Sequence, residues 1–179
     1  MRPNWFVAFP ALLPALALEA PPTRVRLFAP EDRHLTLAFL GGCGEEAARA
    51  AWEASAALAS GPIEATLGAT RPLGNPRRPS ALTALLDRGH DALAALLAAH
   101  AGPVREAAGL APERRDPLPH VTLARIQRKA SGAQREEALR WAAALDVAGA
   151  PLRVDRLALY TWAADRKARL FRLVAERPL

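Results

Sequence analysis

With one cysteine, one methionine and one tyrosine in 179 residues, this chain has little of what several chemistries need. Cys43 stands alone, so no internal disulfide can close and no set of thiolates can gather round a metal, a usage that fits a reducing cytoplasm. Lysine is nearly as scarce: of 24 basic residues only Lys129 and Lys167 are lysine, and arginine carries the rest. No apolar run approaches the roughly 20 residues a membrane-spanning helix requires. The stretch 11–20 superficially resembles a secretory leader, but Pro10 and Pro14 interrupt it and Glu19 stands where a small residue would be wanted, so secretion is not expected. Neither H-x-H nor H-E-x-x-H occurs, and no glycine-rich phosphate loop follows an expected strand, Gly41-Gly42-Cys43-Gly44 reading as a sharp chain break. A phosphate-cradling loop, a metal centre and a bound cofactor are therefore all unexpected.

What is present is a globular composition, 51% hydrophobic and 23% charged, with a net charge of +6 and a pI near 10.8. A basic balance favours polyanionic partners, nucleic acid above all. The excess of arginine is also what a GC-rich genome imposes, so charge alone is modest evidence for RNA.

The informative feature is a repeat. His-Leu-Thr-Leu-Ala-Phe-Leu at 34–40 returns as His-Val-Thr-Leu-Ala-Arg-Ile at 120–126, 120 − 34 = 86 residues later. His, Thr, Leu and Ala are identical, and the one change of chemistry sets Phe39 against Arg125. Leu35 and Leu37, like Val121 and Leu123, alternate with polar residues as in a half-buried strand. In such strands His34 and Thr36 share one face, as do His120 and Thr122. One H-x-T in a strand is commonplace on a wet sheet face. Two copies, in a chain with four histidines, read as matched half-sites.

Around the motifs the chain alternates short elements. Strands are expected at 4–9, 24–28, 63–67, 80–86, 154–160 and 169–175, with a short helix beginning near Ala11. Helices are expected at 45–58 with Glu45 and Glu46 in the first turn, at 91–100 with a break at Gly102-Pro103 before a continuation to Ala108, and at 131–145 with Ser131 as a cap. Residues 71–79, rich in Pro and Arg, read as a basic loop that could touch RNA. The sum is an α+β fold in one domain over 1–179. It would be bilobal, with two pseudo-symmetric antiparallel-sheet lobes backed by helices and the motif strands facing each other across a groove.

The segments Ala29-Pro30-Glu31-Asp32-Arg33 before His34, and Pro119-His120-Val121-Thr122-Leu123-Ala124-Arg125, resemble the two-histidine phosphoesterase superfamily. The match is closest to its bacterial and archaeal branch of RNA 2′,3′-cyclic phosphodiesterases, also called 2′-5′ RNA ligases. Asn4-Trp5-Phe6-Val7-Ala8 resembles that branch's first strand, and Pro79-Ser80-Ala81-Leu82 the strand after its central loop. The resemblance implies a bilobal, metal-independent enzyme that opens cyclic phosphate ends of RNA, on tRNA fragments or short oligonucleotides, to leave a 2′-phosphate. It implies His34 and His120 as the catalytic pair, Thr36, Thr122 and Arg125 as phosphate contacts, and Phe39 as a platform for the terminal base. One departure shows: Ala163-Ala164-Asp165-Arg166-Lys167 stands where the family often has a glycine-rich turn.

The chemistry suits two imidazoles. Hydrolysing a cyclic phosphodiester needs a base for water on one side of phosphorus and an acid for the leaving oxygen on the other. An ordinary pKa near 6.5 lets one ring be neutral and the other charged near neutrality, and threonine hydroxyls can donate to oxygens where charge builds. The roles lean towards His120 as base and His34 as acid, without being fixed by sequence. Arg125 and Phe39, five residues past their histidines, have the wrong parity for the same face unless a bulge intervenes. Ordinary core packing is the alternative for Phe39, and a surface ion pair the alternative for Arg125. His90 and His100 fall on or beside a helix without partners, and Cys43 reads as a turn residue. A 2′-5′ ligase, a 2′,5′-oligonucleotide or small cyclic-nucleotide phosphodiesterase, and a non-catalytic RNA-end binding module are the alternatives. A monomer is expected, since no stretch suggests an interface.

Overall fold

The structure is a computed structural model that describes residues 2–13 and 16–179. Nine strands and three α-helices are described, in the order β1 (Trp5–Pro10), β2 (Val25–Leu27), β3 (His34–Gly41), α1 (Glu45–Ala54), β4 (Ile63–Asn75), β5 (Arg78–Leu86), α2 (His90–Ala107), β6 (His120–Ile126), α3 (Gly132–Ala143), β7 (Pro151–Val154), β8 (Arg156–Trp162) and β9 (Phe171–Pro178). They make two antiparallel sheets, β3-β1-β8-β9 and β2-β6-β5-β4-β7, each holding one motif strand. This is the expected α+β arrangement.

A single apolar cluster draws on both sheets. It joins Val7, Phe9, Leu35 and Leu37 to Leu67, Ala84, Val121 and Leu123, and takes in Trp52 of α1 with Leu93, Leu97 and Val104 of α2. A second cluster packs Ala138 and Ala142 of α3 on Leu82, Ala124 and Ile126. The helices thus cover the apolar faces of the motif strands and leave the His/Thr faces open.

Several boundaries differ from expectation, each for a local reason. The described residues of 11–20 form no helix; Pro14 and Ala15 lie outside the described residues. The expected basic loop at 71–79 is instead the upper part of a long hairpin, with Asn75 paired to Arg78 and the Asn75 side chain accepting from the Arg77 amide at 2.9 Å. At Pro72 one side of β4 is free, because β7 pairs only with Ile63–Thr66, and such an edge tolerates proline. The α2 helix runs through Gly102-Pro103, held across the break by buried Leu93, Leu97 and Val104. The single strand expected at 154–160 is two: β7 joins the second sheet and β8 the first, with Asp155 as the crossover. Ser131 does cap α3, in a reciprocal capping box with Gln134.

Candidate active site

The parity problem is solved identically in both motif strands. Along β3 the ladder to β1 pairs Val7 with Ala38 and Ala8 with Thr36, leaving Leu37 without a partner. Along β6 the ladder to β5 pairs Leu82 with Ala124 and Thr83 with Thr122, leaving Leu123 without a partner. Each is a β-bulge, and an extra residue reverses the alternation beyond it. Leu37 and Ala38 are therefore both buried, as are Leu123 and Ala124, while Phe39 and Arg125 emerge beside His34 and His120. All six candidate residues stand on the open faces.

Each histidine opens its strand and is oriented the same way. His34 Nδ1 donates to the carbonyl of Asp32 at 2.7 Å, and His120 Nδ1 donates to that of Leu118 at 2.6 Å. A carbonyl can only accept, so a proton sits on each Nδ1, and neither Nε2 has a partner among the described residues. Prolines prepare both approaches. Pro30 starts the 3-10 turn that ends at Asp32, and Pro119 biases Leu118 towards extended backbone. The Asp32 carboxylate is buried and accepts from the amides of Leu170 at 2.9 Å and Phe171 at 3.1 Å, so the turn that aims His34 is tied to the start of β9.

The surroundings of the two rings differ. Phe6 stacks on His34 at 4.6 Å between ring centroids, Phe171 meets it edge-on at 5.4 Å, and Tyr160 lies 5.8 Å away. Burial in this box, followed by the positive charges of His120 and Arg125, pulls the His34 pKa down from 6.5 to about 4. The strands β3 and β6, which carry the two histidines, also pack against each other. No aromatic ring is stacked on His120 among the described residues.

Thr36 and Thr122 are half-buried on the groove faces, and neither hydroxyl is engaged among the described residues. Arg125 has its pKa lowered by desolvation and then by Arg166. It makes no ion pair among the described residues, so the surface ion pair considered for it is absent there. Phe39 is 50% exposed, which excludes core packing for its ring. Its carbonyl is held by the Arg105 guanidinium of α2. His90 pairs with Asp91 at the start of α2. The Cys43 thiol is pushed up by burial and donates to the Gly44 carbonyl, which makes it a poor nucleophile. Arg78 of the basic hairpin is tied to the Arg128 carbonyl at 3.0 Å.

A cavity of about 720 Å³ opens elsewhere, between Pro10, Leu13, Gly149 and Arg156. None of the six candidate residues lines it, and an open groove needs no enclosed volume to do chemistry. Sequence reasoning missed Phe6, Tyr160, Phe171 and Asp32. Phe6 and Tyr160 could have been found, because they lie on the strand faces opposite Val7 and Leu159, which point to the core.

Two antiparallel sheets, each holding one H-x-T strand, are the frame of the two-histidine phosphoesterase class. The sequence pattern of the 2′-5′ RNA ligase superfamily matches residues 17–166, and the chain belongs to that superfamily. Solved structures agree in fold. The E. coli LigT complex with 3′-AMP superposes with a TM-score of 0.69 at 17% identity, over 100% of this chain and 99% of that one. The protein TT0787 of Thermus thermophilus gives 0.68 at 23% identity, over 98% and 97%. No curated protein is detectably similar in sequence. No described helix is long and apolar enough to cross a membrane.

Proposed function

We propose that this chain hydrolyses RNA 2′,3′-cyclic phosphate ends to 2′-phosphates by paired-histidine acid–base catalysis without a metal. The observation that carries this reading is the matched orientation of the histidines: both Nδ1–H groups are spent on backbone carbonyls, so both Nε2 atoms are free for proton transfer. Superfamily membership supports an enzyme acting on RNA, and the 3′-AMP complex of LigT is that of a protein with the same fold.

In the reaction His120 Nε2 takes a proton from water as its oxygen attacks phosphorus. The bond from phosphorus to O3′ breaks, and O3′ takes the proton of His34 Nε2. Thr36 and Thr122 donate to the non-bridging oxygens, Arg125 balances their charge, and Phe39 supports the terminal base. His34 is neutral in the free groove at neutral pH, since its pKa is about 4. The negative charge of the bound phosphate beside the buried ring opposes the desolvation that lowers its pKa, and so loads His34 from solvent with the proton it later gives up.

The ligase reading uses the same atoms. A 5′-hydroxyl in place of water would expel O3′ and leave a 2′-5′ linkage, as the superfamily's name suggests. The test is product analysis with a short RNA ending in a 2′,3′-cyclic phosphate, in EDTA, with and without a 5′-hydroxyl acceptor. A 2′-phosphate product supports hydrolysis, and a 2′-5′ joined product supports ligation. Activity that EDTA abolishes contradicts the metal-free mechanism, and binding without either product leaves an RNA-end binding module.

A further inference from the structure

The chain linking β8 to β9 crosses from the first sheet to the edge of the second, and two hydrogen bonds hold it there. Arg26 of β2 donates to the carbonyls of Arg166 at 2.5 Å and Lys167 at 3.1 Å. The Asp165 carboxylate accepts from the Lys167 amide at 2.9 Å and tightens the turn. The strap ends where the amides of Leu170 and Phe171 bond to Asp32, beneath His34. This is the segment that departs from the family's glycine-rich turn.

It gathers positive charge beside the groove. Arg26 and Arg125 stand directly opposite one another on β2 and β6. Like charges so placed destabilise a sheet unless something offsets them. Arg166 adds a third guanidinium whose charge acts on Arg125. Among the described residues no carboxylate lies within 4.0 Å of the charged side-chain nitrogens of Arg26, Arg125, Arg166 or Lys167. The Arg166 guanidinium also lies 4.2 Å over the Trp162 ring, which holds its planar fork in one orientation. Trp162 follows Ala158 and Tyr160 at every second position, on the face that carries Phe6.

Resting on the function proposed above, we infer that this strap is a second phosphate subsite. Arg166, positioned by Trp162 and by Arg26 beneath it, takes the phosphodiester that precedes the cyclic end. The preferred substrate is therefore an RNA strand of two or more nucleotides, not a free cyclic mononucleotide. A planar fork suits a phosphodiester because its N–H pairs meet two oxygens at once. One such contact is worth roughly tenfold or more in affinity.

The test compares kcat/KM for cytidine 2′,3′-cyclic phosphate and for a dinucleotide with the same cyclic end, in wild type, Arg166→Ala, Arg166→Lys and Trp162→Leu. Wild type is expected to favour the dinucleotide by roughly tenfold or more. Arg166→Ala should collapse that ratio, chiefly through KM, and flatten the salt dependence of the dinucleotide reaction by about 0.7 in log–log slope. Arg166→Lys should restore part of the ratio, and Trp162→Leu should lower it less than Arg166→Ala does. Equal wild-type rates on the two substrates, or an Arg166→Ala loss of the same factor on both, would overturn the subsite. Hydrolysis of neither substrate by wild type would overturn the reading of the groove itself.

Discussion

His34 and His120 occupy equivalent places in the two sheets, with the same strand start, the same bond to the carbonyl two residues back and the same bulge three residues on. Only His34 is enclosed by Phe6, Tyr160 and Phe171. The backbone is repeated and the environment is not. In the proposed reaction the repeated geometry would present two Nε2 atoms to one phosphate, while the aromatic surroundings lower the pKa of His34.

Removing either ring should have the largest effect. His34→Ala and His120→Ala should each lower kcat by roughly 10²–10⁴-fold, and the double variant should be little worse than the poorer single one, because the pair acts as a unit. Full additivity in steady-state rates would break the equivalence of the half-sites. Next come the residues that replace one another five positions past the histidines. Arg125→Ala should cost roughly 10–100-fold in kcat/KM through a lost charge-assisted contact. Phe39→Ala should cost less, be confined to KM, and vary with the terminal base.

The bulge shows what was legible in the sequence and what was not. The repeat placed His34, Thr36, His120 and Thr122 on open faces, because period two holds over three residues. It could not place Phe39 and Arg125, because their side depends on one unpaired residue in each ladder, and Leu37 and Leu123 look like any strand leucine. The basic hairpin reads as a loop in sequence because proline content says nothing of which strand edge will be free. The break at 155 was invisible because neighbouring apolar strands in different sheets read as one run. Asp32 was part of the recognised segment, but its task, bonding to amides 138 and 139 residues away, is a long-range matter.

Asp32→Asn sharpens the comparison from the other side, since nothing equivalent ties down Leu118 among the described residues. Replacing a buried carboxylate that accepts from two amides should lower stability by about 1–3 kcal/mol. It should also lower kcat by loosening His34, read as a fall in melting temperature together with a fall in rate at saturating substrate.

The pH dependence follows from the sign of the His34 shift. Its pKa is near 6.5 in the unfolded chain and about 4 in the folded protein, so between these values the unfolded state binds more protons. Stability therefore falls as pH drops from 6.5 to 4 and levels off below, by on the order of 3 kcal/mol for this group. His34→Gln should flatten that part of the curve in denaturant titrations. Phe6→Leu is the smallest intervention. By opening one wall of the box it should raise the His34 pKa in NMR titration towards 6.5, while costing about 1–3 kcal/mol of stability as a large-to-small change at a buried site.

The most direct test of the paired half-sites measures turnover and binding together. Wild type, His34→Ala and His120→Ala would be assayed on an RNA with a 2′,3′-cyclic phosphate end, and each would be titrated with the same RNA bearing a 2′-phosphate. The account predicts that turnover is lost in both variants while affinity stays within a few-fold of wild type. Loss of turnover in one variant with near-normal rates in the other would contradict it, because a single histidine would then suffice.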